Sequence, residues 1–76
     1  MKRKIVLKCG IKLSYRLTKK RDNYIITCTE INGKEKTIES VAFACTRKRV
    51  KHILNILAEN DVFPCHLKEI IAELMC

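Results

Sequence analysis

Alternation of apolar and polar side chains marks the first half of the chain as rich in strands. Over residues 12–18, Leu13, Tyr15 and Leu17 fall on one face and polar residues on the other, which is typical of a half-buried strand. Residues 24–31 are dense in β-branched side chains and predict a central strand. The predicted strands cover about 4–8, 12–18, 24–31 and 34–43.

Two glycines predict turns between these strands, and polar residues 19–23 predict a loop. The first turn falls at Cys9-Gly10. The dipeptide Asn32-Gly33 lies between two strand patterns and favours a type I′ hairpin turn, because both central residues of that turn need a positive φ.

The last strand contains an irregularity in its pattern. Ile38 is out of step with Val41 and Phe43, which share the opposite parity. An extra residue in one strand would restore a common apolar face. A bulge, or an early end of the strand, is therefore expected near Ser40.

A periodicity of 3.6 residues predicts two helices, over about 47–59 and 64–75. Thr46 is the expected N-cap of the first helix, Asn60 its left-handed terminal residue, and Pro64 the start of the second helix. Each helix has one apolar stripe. The stripes are Val50, Ile53, Leu54 and Leu57 in the first helix and Leu67, Ile70, Ile71 and Leu74 in the second.

These elements predict an α+β fold. A small antiparallel β-meander of three to four strands is packed by a C-terminal αα-hairpin in two layers. At 76 residues the chain has room for one domain, 1–76. A core of this size stabilises a monomer only weakly. Binding to a protein partner or to a second copy of the chain would add stability.

Charge is the most unusual feature of the composition. Sixteen Lys and Arg against eight Asp and Glu give a net charge of +8. Residues 1–21 contain nine basic residues and no acid, and residues 46–58 contain four and no acid. Such blocks are expected to attract polyanions. The candidate polyanion-binding residues are Arg47, Lys48, Arg49, Lys51, Lys2, Arg3, Lys4, Lys19, Lys20 and Arg21.

The second half of the chain resembles a known sequence family. The similarity lies at Leu57-Ala58, Asn60, Val62, Pro64 and His66-Leu67, within residues 46–75. The family consists of short, uncharacterised clostridial-type bacterial proteins, a domain of unknown function. The resemblance implies a strand-rich first half followed by helices, and it implies no activity. The chain is more basic than the family pattern, so the resemblance assigns no role to the basic blocks.

The basic blocks admit two interpretations. Cations and free N–H groups at the start of the first helix could bind phosphate, or the block could be a solvated helix face. Base-stacking aromatic residues are scarce, so any nucleic-acid binding would be salt-sensitive and not sequence-specific. A helix-turn-helix is rejected, because Glu69 and Glu73 would make its recognition helix acidic.

The cysteines and histidines give no strong metal signal. Cys65 follows Pro64 at a helix start, where a thiolate would be stabilised, so the alternatives are a reactive cysteine or a zinc site from Cys65, His66, His52 and a further thiol. The paired ligands at short spacing that structural zinc sites use are missing. We expect no metal and no cofactor. No phosphate-binding glycine loop or catalytic constellation is recognisable, so an enzyme is not expected.

The sequence favours a cytoplasmic protein. Five scattered cysteines, with no export signal, are typical of reduced thiols. No apolar run is long enough to span a membrane. We predict a non-catalytic protein-interaction or homodimeric accessory domain; the alternative is non-sequence-specific nucleic-acid binding through the blocks 2–21 and 47–52.

Overall fold

A computed structural model describes the backbone of residues 3–8 and all of residues 10–75. The sheet contains four antiparallel strands in the order β1-β2-β3-β4, so each strand pairs with its neighbour in sequence. Two helices follow, which confirms the predicted α+β class. The elements are β1 (Arg3–Lys8), β2 (Ile11–Lys20), β3 (Asn23–Asn32), β4 (Glu35–Phe43), α1 (Arg47–Glu59) and α2 (Pro64–Met75).

The core lies between the helices and one face of the sheet. Both predicted helical stripes point into it, and the four stripe residues of α1 are all buried. Helix α1 packs against β1 and β2, and α2 packs against β3 and β4. The buried residues of β2–β4 are Leu13, Tyr15, Leu17, Tyr24, Ile26 and Cys28. The opposite face of β2–β4 is not covered by either helix.

The connection between the helices is tied to the centre of the sheet. The Tyr15 hydroxyl donates a hydrogen bond of 2.7 Å to the Val62 carbonyl, and the Cys28 thiol lies 3.5 Å from the same oxygen. Val62 is itself 8% exposed. Because a buried carbonyl without a partner is costly, these two side chains fix the position of the helical hairpin on the sheet.

The hairpin between β3 and β4 differs from the predicted type I′ turn. Asn32 pairs with Glu35, so the two-residue loop is Gly33-Lys34. Among these residues only Gly33 has a positive φ, of 62°. A loop that begins with glycine and needs one positive φ is typical of type II′. The prediction of a turn was right, but its class and register were wrong.

The loop predicted over residues 19–23 is also shorter than expected. Lys20 pairs with Asn23, which leaves only Arg21 and Asp22 in the turn. Arg21 adopts a φ of 54°. Lys19, Lys20 and Asn23 extend the two strands as far as this turn. These polar residues can do so because their side chains are exposed at the end of the sheet.

The end of α1 corrects one further detail. Asn60 is the C-cap with a φ of −99°, and its side-chain nitrogen donates to the Ile56 carbonyl at 2.8 Å. The left-handed residue is Asp61, with a φ of 49°. Asp tolerates this conformation for the same reason as Asn, since its short polar side chain can bond locally.

No bulge occurs near Ser40. The β3–β4 register continues without interruption from Asn32–Glu35 to Tyr24–Phe43. Ile38 lies opposite Thr29 on the uncovered face and is 54% exposed. The expectation of a bulge assumed that every apolar residue of β4 must face the core, and this assumption was wrong.

Candidate functional site

The basic block 47–52 forms the start of α1. The Thr46 side chain caps the helix by accepting a hydrogen bond of 3.2 Å from the Arg49 backbone N–H, as predicted. The first turn of α1 contains no acidic residue. A shallow depression of about 670 Å³ lies along this part of the helix, lined by Thr46, Lys48, Arg49, Lys51, His52 and Asn55.

Arg49 differs from its neighbours because it has a partner within the protein. Its Nη2 donates a hydrogen bond of 2.8 Å to the Leu74 carbonyl, in the last turn of α2. The carbonyls of a final helical turn have no partner inside their own helix. Arg49 therefore joins the start of α1 to the end of α2, although its side chain is exposed like those of Arg47 and Lys48.

This difference predicts unequal effects of two neighbouring substitutions. We expect Arg49→Ala to lower the free energy of unfolding by about 1 kcal/mol, because a charge-assisted hydrogen bond at the surface is lost. Arg47→Ala removes the same charge without that bond and should change stability by less than about 0.5 kcal/mol. Urea unfolding of both variants measures the difference. Equal destabilisation would contradict a structural role for Arg49.

The run Lys19-Lys20-Arg21, at the end of the basic block 2–21, is divided between the two faces of the sheet. The Lys19 ammonium lies 5.9 Å from the centre of the Tyr24 ring, on the face that packs against the helices. Lys20 belongs to the opposite face, where it lies near Ile25 and Ala42. Strand alternation separates neighbours in sequence, so this block does not act as one cluster.

The remaining predicted site residues lie at the N-terminus. Lys2 is outside the described residues. For Arg3 and Lys4 the structure describes only their backbone positions in β1, opposite Arg16 and Tyr15. Their proposed contribution to a polyanion site stays a prediction.

The turn at Arg21 and the start of α1 belong to the same end of the sheet. Tyr24 follows this turn closely and pairs with Phe43, the last residue of β4. Helix α1 begins four residues later, at Arg47. The topology therefore brings parts of two basic blocks to one end of the domain, which the sequence alone did not decide.

The uncovered face of β2–β4, here called the open face, is a feature that sequence reasoning missed. Within these strands it contains four exposed cationic side chains and no carboxylate. The cations are Lys12, Arg16, Lys20 and Lys36. The three carboxylates of the same strands occupy positions of the opposite parity, on the side of the helices: Glu30, Glu35 and Glu39.

Apolar and hydroxyl side chains occupy the middle of the open face. Ile31 is 37% exposed and Ile38 is 54% exposed, and they are the large aliphatic residues that stand out as exposed in residues 10–75. A hydrogen bond of 3.0 Å joins the Thr27 and Ser40 hydroxyls across two strands. A depression of about 390 Å³ is lined by Lys12, Ser14, Arg16, Thr27, Thr29, Ile31, Lys36 and Ile38. Such a surface can bind a ligand that has both carboxylates and aliphatic groups.

The cysteines that the structure describes have different environments. Burial, with smaller contributions from Glu30 and Cys65, raises the pKa of the Cys28 thiol to about 12. Burial also raises the pKa of Cys45, although Arg49 opposes this effect. Cys65 is exposed and not bonded to another cysteine. The raised pKa values make thiolate chemistry at Cys28 and Cys45 unfavourable.

The hypothetical zinc ligands do not come together. His66 Nδ1 lies 4.0 Å from Glu69 Oε2 at the surface, and His52 lies on α1 beside Lys51. Within residues 3–8 and 10–75, no three His, Cys, Asp or Glu side chains form a group that could hold a metal ion. Cys9 and Cys76 are outside the described residues.

A second concave surface lies beside the connection between the helices. It has a volume of about 380 Å³ and a mostly apolar lining that includes Ile56, Val62, Phe63 and Ile70. Asn60, Asp61 and His66 also line it.

Neither described helix is long and apolar enough to cross a membrane.

Comparison with known proteins identifies the chain only at the level of its family. No curated protein and no solved structure matches it. A family model described as a family of unknown function, DUF6514, matches residues 2–76. This match confirms the resemblance to an uncharacterised family and extends it from the helical half to almost the whole chain. The protein therefore belongs to the DUF6514 family.

Proposed function

We propose that the protein is a non-catalytic protein-interaction domain whose open face binds an extended, acidic segment of a partner protein. The observation that supports this proposal is the separation of charge across the sheet. Four cations and no carboxylate lie on the uncovered side of β2–β4, and three carboxylates lie on the other side. A surface of one sign attracts partners of the opposite sign and favours their correct orientation.

The apolar residues of the open face favour a polypeptide as the ligand. Ile31 lies between Lys12 and Lys36 across the sheet, and Ile38 lies two residues after Lys36 in the outer strand β4. Exposed aliphatic side chains rimmed by charges are a feature of protein-binding surfaces. A partner segment with glutamate or aspartate next to aliphatic residues would satisfy both groups.

Nucleic acid is the alternative ligand, bound without sequence specificity through its phosphates. The basic residues that the topology brings to one end of the sheet support it. The distribution of aromatic residues favours protein, because single-strand binders stack bases on exposed rings. Tyr15 and Tyr24 are buried, Phe43 is half-buried on the side of the helices, and Phe63 lies beside α2.

Lack of catalytic chemistry is part of the proposal. Its support is that Cys28 and Tyr15 are buried and engaged with the Val62 carbonyl, and that the open face contains hydroxyls without a neighbouring histidine or carboxylate in β2–β4. We place the protein in the cytoplasm, since Cys28, Cys45 and Cys65 are unpaired. A bacterial origin stays a prediction.

A fluorescence anisotropy experiment tests the open face as the binding surface. The probe is a fluorescein-labelled peptide of alternating glutamate and valine residues. We expect the triple variant Lys12→Glu, Arg16→Glu, Lys36→Glu to bind it at least roughly 30-fold more weakly, since three exposed charge pairs contribute about 2 kcal/mol together.

A matched control separates local charge from net charge. The triple variant Arg47→Glu, Lys48→Glu, Lys51→Glu changes the net charge by the same amount but leaves the open face intact. We expect it to keep most of the peptide affinity. Equal losses in the two variants would contradict the proposal.

The same experiment with a labelled oligonucleotide tests the alternative. Binding that falls by roughly 10³-fold between about 50 and 200 mM salt would indicate several phosphate contacts. If the oligonucleotide binds more tightly than the peptide and the α1 variant abolishes binding, nucleic acid replaces protein as the proposed ligand.

A further inference from the structure

The outer strand β4 exposes an edge that is suited to pairing. It is nine residues long, contains no proline and continues its register with β3 without a bulge. Residues 35–40 are all exposed. Natural sheets protect such edges by prolines, bulges, charged side chains or a covering segment, and β4 has only the charges, at Glu35, Lys36 and Glu39. Neither helix covers this edge beyond the half-buried residues at its end.

We propose that β4 pairs antiparallel with β4 of a second copy of the chain, which joins two four-stranded sheets into one. A two-fold axis perpendicular to the sheet relates the copies. Residues of the same parity then lie opposite each other, so both helix layers lie on one side and both open faces on the other. This inference does not depend on the identity of the ligand of the open face.

Charge excludes several registers for this pairing. Pairing all nine residues would place Glu39 opposite Glu39 of the second copy, and like charges directly opposite are destabilising. A register centred on Lys36 has the same defect. A register centred on Ile38 places Ile38 against itself, Thr37 opposite Glu39 and Lys36 opposite Ser40. No like charges then lie directly opposite each other. A register centred on Ser40 also avoids like charges, but it places the exposed Ile38 opposite Ala42 instead of an identical side chain.

The Ile38-centred register also accounts for the exposure of this residue. Ile38 is 54% exposed in the single chain, more than any other large aliphatic residue from residue 10 onward. Pairing across the axis covers it with an identical side chain. β-branched pairs at directly opposite positions stabilise a sheet.

Symmetry favours this edge over a mixed pairing of β4 with β1. A β4–β4 contact uses the same surface on both copies and closes at a dimer. A β1–β4 contact leaves one free edge at each end and continues to larger assemblies. The proposal therefore predicts an assembly of two chains and no more.

Sedimentation equilibrium over a range of concentrations tests the proposal. We expect the mass to rise to twice the 8.8 kDa of one chain and to stop there. Ile38→Lys should give a monomer, because two lysines would face each other on the axis. Ile31→Lys is the matched control: it makes the same change on the open face, on the inner strand β3, and should leave the dimer intact.

The outcomes distinguish the edge from other contacts. A monomer at every concentration, a mass above that of a dimer, or a dimer that survives Ile38→Lys would overturn the proposal. Equal dissociation by Ile31→Lys and Ile38→Lys would also overturn it, because contact through the open face would then hold the copies together. Circular dichroism verifies that both variants are folded.

Disulfide formation tests the register. In the Ile38-centred register, Ile38→Cys places two cysteines opposite each other at a Cβ distance of about 5 Å, near the range of a disulfide. We expect a cross-link from residue 38 to residue 38, located by mass spectrometry to separate it from the native cysteines. Glu39→Cys should not cross-link to itself. The reverse result would contradict this register.

Discussion

Leu67→Ala is expected to lower the free energy of unfolding by about 2–5 kcal/mol, the cost of removing a fully buried leucine side chain and leaving a cavity. Leu67 is 0% exposed and anchors α2 in the core. A domain of this size has a small margin of stability, so the variant should be largely unfolded at the growth temperature of a mesophile. Urea unfolding followed by circular dichroism measures the change.

Ile38→Ala, measured below the concentration at which the chain associates, is the control for this prediction. It removes an apolar side chain of similar size from a position that is 54% exposed. We expect a loss of less than about 1 kcal/mol, since most of its surface is already in water. If both variants were destabilised equally, α2 would not pack on the sheet as described.

Tyr15→Phe is expected to lower the free energy of unfolding by about 1–3 kcal/mol, because the Val62 carbonyl loses its best hydrogen-bond donor. The bond is 2.7 Å long and fully buried, and the remaining Cys28 thiol at 3.5 Å is a weak donor. Tyr24→Phe is a matched control, since the Tyr24 hydroxyl makes no hydrogen bond to the described residues. A loss in Tyr24→Phe as large as that in Tyr15→Phe would contradict this account.

The buried Tyr15 hydroxyl and Cys28 thiol also predict that the protein loses stability at alkaline pH. Burial raises the pKa of Cys28 from 9.0 to about 12, and burial also raises the pKa of Tyr15 above its ordinary value of 10.0. The unfolded chain therefore releases these protons at lower pH than the folded chain. The contribution of these two protonated groups to the free energy of unfolding is complete below pH 9 and is lost as pH rises from 9 towards 12.

Urea unfolding at several pH values checks this prediction. We expect the free energy of unfolding to fall above about pH 9 in the wild type and to fall less steeply in Tyr15→Phe and Cys28→Ala. Stability that rises with pH in this range, or an unchanged slope in both variants, would contradict the burial of these groups.

The sequence predicted most of the fold because its patterns act locally. The alternation of Leu13, Tyr15 and Leu17 and the helical stripe that begins at Val50 each identify a buried face without knowledge of the partner. The helix bounds at 47, 59, 64 and 75 follow from the same periodicity and from Thr46 and Pro64.

The details of the turns depend on pairing, which one strand pattern does not contain. The class of the Gly33 turn followed from the pairing of Asn32 with Glu35. The expected bulge at Ser40 failed because Ile38 lies on the open face of the outer strand, where it is exposed. Only the register of β4 on β3 shows which face Ile38 occupies.

The candidate site was predicted only in part, because runs of charge in a sequence are not clusters in space. The run Lys19-Lys20-Arg21 divides between two faces. Lys12 and Arg16 are four residues apart in β2. The pairing of β2, β3 and β4 brings them to the same face as Lys36. The alternation of β2 already placed both on the polar face, and this signal could have indicated the open face.

The measurement that tests the central claim most directly is a nuclear magnetic resonance titration of the ¹⁵N-labelled chain with the glutamate–valine peptide. The account predicts that the largest shifts of the amide signals cluster at Lys12, Arg16, Thr29, Ile31 and Lys36. Signals of α1 and of the surface around Phe63 should change little. Shifts centred on residues 47–52 or on that surface, with the strands unaffected, would contradict the assignment of the open face as the binding surface.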